Sequence, residues 1–210
     1  MRDFRRSKNR IKSFFQYYSI YIPQEFDNNQ WTLKFIDWLK QIQMKTSSGQ
    51  DAFSNLIRSF EYHREQILIL SWQIRIRVRE YDKELYNLLK TISGIGPLTS
   101  SALITELGDI NRFPHINHLS SFVGLVPRVK QSGETSYNGG MTFRCNEYLR
   151  TLLIESSWQA IRLDPALMQY YQQHIINNKA QKVIIKIARK LLNRIRYVMK
   201  TRQPYVTGVA

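Results

Sequence analysis

Apolar residues recur at helical spacing along most of the chain, and strand-like alternation is scarce. Residues 3–18 set Phe4, Ile11, Phe14, Phe15 and Tyr18 on one side of a basic helix, which Pro23 and the polar stretch to Gln30 end. Trp31 to Met44 predicts a short amphipathic helix through Phe35, Ile36, Leu39 and Ile42. Ser47-Ser48-Gly49 predicts a loop, with Asp51 as the next N-cap. From Asp51 to about Lys90 there is neither glycine nor proline. Phe53, Ile57, Phe60, Arg64, Ile67, Ser71, Ile74, Val78, Tyr81, Leu85 and Leu88 follow a 4,3,4,3 spacing, and nine of these eleven positions are apolar if tyrosine is counted. This heptad seam predicts a coiled coil through which the chain self-associates. The same spacing fits one long helix packed against its own domain. On a seam shared with a partner, Arg64 and Ser71 would set register, because a buried polar group needs a mate.

Beyond the seam the punctuation changes. Ser93-Gly94-Ile95-Gly96-Pro97 ends one helix and opens another, the order expected of a helix-hairpin-helix. Glycine supplies the positive φ of such a turn, and the following helix N-terminus favours an anion, so Gly94 and Gly96 are candidates for gripping a nucleic-acid phosphate. A plain tight turn fits the same residues. Gly108-Asp109 closes that helix, a short helix covers Ile116–Phe122, and residues 124–142 read as a loop. Arg144–Ile161 predicts a helix, Asp164-Pro165 caps and opens another to about Ile176, and Lys179–Lys200 forms the last. The fold class is therefore all-α: a basic helical arm (1–50), a coiled coil (51–90) and a compact helical domain (91–210).

Charge sharpens this picture. The net charge is +15, and the two ends of the chain carry nearly all of it. Residues 1–12 hold six Lys/Arg against one acid, and after Asp164 there are nine Lys/Arg and no acid. Clusters of this kind attract polyanions by releasing counterions. Lys182, Lys186, Arg189 and Lys190 on the last helix are candidate nucleic-acid contacts, as are Arg128 and Lys130, just before Ser132-Gly133, and Arg144, after Gly139-Gly140. No run of eighteen apolar residues is present, so no membrane partner is expected. The single Cys145 excludes an internal disulfide and any zinc site built from several thiolates. His115 and His118 have metal-compatible spacing but no third ligand nearby, so no metal site is expected within this chain. The tryptophans Trp31, Trp38, Trp72 and Trp158 are expected in cores. A bacterial-type cytosol, associated with the nucleoid, fits best.

Several segments in fixed order resemble a known family. They are Ile92-Ser-Gly-Ile-Gly-Pro-Leu98, Leu107-Gly-Asp-Ile-Asn-Arg-Phe113, Phe122-Val-Gly-Leu-Val-Pro127, Gln131-Ser-Gly133, Asn146-Glu-Tyr-Leu-Arg150 and Ala188-Arg-Lys-Leu-Leu192. This order resembles the C-terminal part of the insertion sequence 110 family of transposases, which includes the Piv/MooV-type DNA invertases. Lys8-Asn-Arg-Ile-Lys12, with Trp31 and Trp38-Leu39, extends the likeness toward the start. One departure is Cys145, where the family usually has glycine.

The resemblance implies DNA transposition. Ser132, beside Gly133, would be the nucleophile that holds DNA as a phosphoserine, with Arg128, Lys130 and Arg144 neutralising the phosphate. Judged from the residues alone, a turn serine fits Ser132 as well. The family also implies a structured guide RNA, and Mg²⁺ bound by four acids of an RNase-H-like domain. Here the chain opens on a basic helix, and Asp3, Glu25, Asp27 and Asp37 follow no strand-like run. The expectation is that this metal-binding domain is not encoded here and that Mg²⁺ acts only together with it. Alternatives are a non-catalytic helix-hairpin-helix protein, an inactive fragment, or a scaffold whose basic ends serve solubility.

Overall fold

The computed structural model describes residues 1–26, 30–132 and 135–206; for 128–132 and 135–139 it describes the backbone alone. The chain divides into two compact units, Met1–Gln73 and Ile74–Ala210, considered in turn. The architecture is all-α, with one small hairpin in the second unit.

The first unit comprises α1 (Arg2–Tyr17), α2 (Leu33–Gln41) and the first part of α3 (Ser47–Leu89). Thr32 caps α2 by accepting from the Phe35 amide at 3.3 Å. The expected loop at residues 47–49 is instead the first turn of α3. Thr46 is its cap, accepting from the Gly49 amide at 3.1 Å, and the Gln50 side chain reaches back to the Met44 amide at 2.8 Å. Ile11 and Phe15 of α1 meet Phe35, Ile36 and Leu39 of α2 and Phe53, Ile57 and Phe60 of α3 in one core. Phe14 stacks on Phe53 and Phe4 on Phe60, with centroids 5.3 and 5.2 Å apart. The first three seam positions are thus covered by the chain's own helices. Burial and the neighbouring Lys12 charge push the Lys8 ammonium below the usual lysine range while it sits over the Phe4 ring. Trp31 and Trp38 pack among these rings, whereas Trp72 is 58% exposed and lies outside any core.

The second unit takes the remainder of α3, then α4 (Pro97–Leu107), α5 (Ile116–Val123), β1 (Pro127–Ser132), β2 (Thr135–Met141), α6 (Glu147–Leu163), α7 (Pro165–Ile175) and α8 (Ala180–Thr201). Helix α3 is interrupted at Asp82, whose backbone is non-helical (φ −155°, ψ 82°). The Asp82 carboxylate restarts the helix by accepting from the Leu85 amide at 2.8 Å, and its other oxygen pairs with Arg202 at 2.7 Å. Val78 and Leu85 are buried within this unit and Leu88 is partly buried against its core, while Ile74 and Tyr81 are exposed. The heptad seam therefore serves several surroundings.

Helix α8 is the central element. Val183, Ile184, Ile187, Leu191, Ile195 and Val198 are buried as the spacing predicts, against α5, α6 and α7. Asp164, almost fully buried, caps α7 through the Leu167 amide and pairs with Arg194 of α8. Arg194 in turn lies under the Tyr205 ring, so one buried carboxylate ties α7, α8 and the C-terminal segment together.

The expected loop at 124–142 is corrected. Most of it is an antiparallel hairpin, with Ser132 paired to Thr135, Lys130 to Tyr137 and Pro127 to Met141, and an irregularity between Pro127 and Val129. An isolated two-stranded hairpin is marginal in water, so its stability must come from what holds its root.

Candidate functional site

The hairpin root is held by residues of the two flanking helices. Helix α5 ends at Gly124 with φ +81°, a left-handed cap that lets the chain turn toward β1. A Cβ there would lie 2.5 Å from both Cβ and Sγ of Cys145 and 3.3 Å from an Arg150 nitrogen. Glycine is thus required by backbone angle and by space. Asn146 does three jobs: its amide donates to the Phe122 carbonyl at 2.8 Å, its Oδ1 caps α6 through the Leu149 amide at 3.0 Å, and its Nδ2 donates to Glu106 at 2.7 Å. Arg150 donates to the Thr142 carbonyl at 2.8 Å, just beyond the end of β2. These contacts fix where the two strands leave the helical body.

Ser132 is the last residue of β1 and pairs with Thr135, the first of β2. Arg128 and Lys130 belong to the same strand. Their side chains, like that of Ser132, lie outside the described part of the structure, and so does Gly133 altogether.

Two concavities flank the hairpin root. One, of about 760 Å³, is lined by His118, Ser121, Phe122, Arg144, Cys145 and Asn146. Arg144 is exposed at its edge. The other, of about 320 Å³, lies between the root and α8, where Lys182, Lys186 and Arg189 line it together with Ile185. Three of the α8 candidates are therefore brought to the hairpin. Lys190 instead sits over the Tyr170 ring of α7 at 4.2 Å. His115 and His118 meet edge to face with ring centroids 5.9 Å apart. Among the described residues no group of three or more His, Cys, Asp or Glu could hold a metal ion.

The glycine turn before α4 separates into two roles. Gly94 has φ +85°, and a Cβ there would lie 2.4 Å from the Ser156 carbonyl oxygen and 2.9 Å from the Ala160 nitrogen. Its absence of a side chain lets the turn press onto α6. Gly96 is the N-cap of α4, and a Cβ there would meet nothing within 4 Å, so it faces open space. Of the pair, only Gly96 has open space on the side where a Cβ would stand. Sequence reasoning also missed the structural work of Asn146. The signal was available, because asparagine before Glu-Tyr-Leu is a strong N-cap pattern.

No helix among the described residues is long and apolar enough to cross a membrane. Residues 86–172 match the family model described as Transposase IS116/IS110/IS902 family. The chain is 39% identical over 74 residues to the transposase for insertion sequence element IS1111A of Coxiella burnetii, covering 35% of this chain and 20% of that protein. It is 32% identical over 122 residues to the pilin gene-inverting protein of Moraxella bovis, covering 57% and 38%. To the transposase for insertion sequence element IS1328 of Yersinia enterocolitica it is 28% identical over 153 residues, covering 71% and 45%. In each case the match spans less than half of the relative's length. The matched span runs from the end of α3 to α7 and encloses the glycine turn, the hairpin and its anchoring residues. Over that span the chain carries a domain similar to that of the IS116/IS110/IS902 family of transposases.

Proposed function

We propose that this chain is the C-terminal part of a DNA transposase or recombinase, binding element-end and target DNA and supplying Ser132 as the nucleophile for strand exchange. The observation that carries the reading is the family domain over residues 86–172, which includes a hairpin with Ser132 at the end of its first strand. The Ser132 hydroxyl oxygen would form an ester bond to a backbone phosphorus as the bond to the leaving deoxyribose oxygen breaks. The hydroxyl proton passes to a base, and the departing oxygen takes up a proton. Reversing the step with a different strand end rejoins the DNA without an outside energy source. Arg128, Lys130 and Arg144 would neutralise the charge that builds on the phosphate. The open Gly96 turn and the N-terminus of α4 would hold a second phosphate without reading sequence.

Activation of the serine is assigned to a separate acidic domain: Mg²⁺ held there would acidify the hydroxyl and stabilise the leaving oxygen, and a carboxylate or water of that domain would take the proton. A structured guide RNA would complete the assembly. A second copy of the chain would pair through the heptad seam of α3, where Ile74 and Tyr81 are exposed. The test is covalent trapping on element-end DNA with Mg²⁺ and the acidic domain of a relative supplied in trans. The expected result is a protein–DNA adduct that Ser132→Ala abolishes. Adducts that persist in the variant would remove the nucleophile assignment. DNA binding with no adduct under any condition would favour a non-catalytic helix-hairpin-helix protein.

A further inference from the structure

The smaller cavity at the hairpin root combines two features that neither strand exchange at Ser132 nor general DNA affinity requires. Its walls include Val126, Met141 and Ile185, all apolar. Its cations are Lys182, Lys186 and Arg189, at i, i+4 and i+7 of α8 and so along one stripe. Among the described residues no carboxylate neutralises the stripe. Arg189 donates to the neutral Asn117 side chain at 3.1 Å, and Lys182 and Lys186 are exposed. An apolar slot beside a row of uncompensated cations suits a ligand with a flat apolar body and anionic groups in series.

Size narrows the ligand further. At about 320 Å³ the cavity lies at the small end of ligand sites. A duplex cannot enter it, whereas one base with its sugar can. Sites that accept a base in this way hold it between apolar or aromatic faces and are selective for bases already unpaired. We propose that this slot takes a single unpaired nucleotide, its base between Ile185 and the hairpin root and its flanking phosphates on Lys182, Lys186 and Arg189. The inference rests on the reading of the chain as a nucleic-acid-binding protein and adds which form of strand it holds. It implies that the strand is unstacked where it crosses the root of the hairpin that carries Ser132.

The test uses the full chain and four fluorescent probes: a short mixed-sequence DNA strand, the same strand with an abasic position, its duplex, and the RNA equivalent. Ile185→Trp fills the slot. Because Ile185 also packs against the core, Met141→Phe fills it from the opposite wall, and far-ultraviolet circular dichroism verifies folding of both. The expected result is about tenfold weaker binding of the single strand by either variant, the order of one lost base-stacking contact, with duplex affinity changed less than about twofold. The unmodified chain should likewise prefer the intact strand over the abasic one. A loss confined to the DNA strand identifies the DNA as its source, and a loss confined to RNA identifies an RNA partner; either supports the slot. Equal losses on single strand and duplex, or none from either folded variant, overturn the proposal while leaving nucleic-acid binding intact. An unmodified chain that binds none of the probes overturns that underlying reading as well.

Discussion

The junction beneath the hairpin and the outward stripe of α8 are built on opposite terms, although both belong to the same unit. At the junction, Gly124, Asn146 and Arg150 are each committed to neighbours within the fold. On the stripe, Lys182 and Lys186 extend into solvent, and Arg189 bonds a neutral amide. The residues that carry the family likeness most visibly, including Gly94, Gly124 and the Asn146–Arg150 run, are largely those that fold the unit. The cations that would carry the binding lie mostly outside those motifs. A motif is thus a guide to where a site is held, and the charge pattern a guide to what it holds.

Substitutions can break this contrast, and the largest effect is expected in the scaffold. Asp164→Ala strands the largely buried Arg194 guanidinium and removes the α7 cap, so a loss of about 3–5 kcal/mol in urea-monitored stability is expected. Stability within about 1 kcal/mol of the parent would show that Asp164 is replaceable. Gly94→Ala should cost about 2–4 kcal/mol, since it combines left-handed strain with overpacking against Ser156 and Ala160. Gly96→Ala should cost roughly 1 kcal/mol or less, because only cap preference is lost. Equal losses at the two glycines would contradict their division of roles.

The junction offers a finer test. Gly124→Ala should be destabilising, and Cys145→Gly should partly restore it by removing the side chain that the new methyl meets. A double-mutant cycle should give a coupling of about 1 kcal/mol, within the range for residues in contact. A coupling near zero would mean the backbone angle alone matters. On the stripe, Lys182→Ala and Lys186→Ala should leave the melting temperature within error. Each should lower the slope of log affinity against log salt by about 1 if it neutralises one phosphate. An unchanged slope would remove these residues from the interface.

Much of the helical framework is legible in the sequence because amphipathic spacing is a local property. The buried face of α8 and the Asp164-Pro165 boundary follow from it directly. Thr46 is hard to recognise as a cap because the serines and glycine after it resemble a loop, although they form the first turn of α3. The break at Asp82 carries neither glycine nor proline and is stabilised in part by Arg202, 120 residues away. The hairpin is hard to see because Arg128-Val-Lys-Gln-Ser132 is a largely polar stretch with weak strand propensity. Gly133-Glu134, a glycine-first pair between the two strands, is the available hint.

The all-α character, the basic ends and the order of motifs can be read along the chain, because periodicity, charge and composition are properties of neighbouring residues. Three features could emerge only from the folded arrangement. They are which seam positions of α3 find partners within their own unit, the pairing of residues 127–132 with 135–141 as strands, and the meeting of Lys182, Lys186 and Arg189 with an apolar slot at the hairpin root. Each of these depends on groups distant in the chain coming into contact, and pairing between distant residues leaves no local period to read.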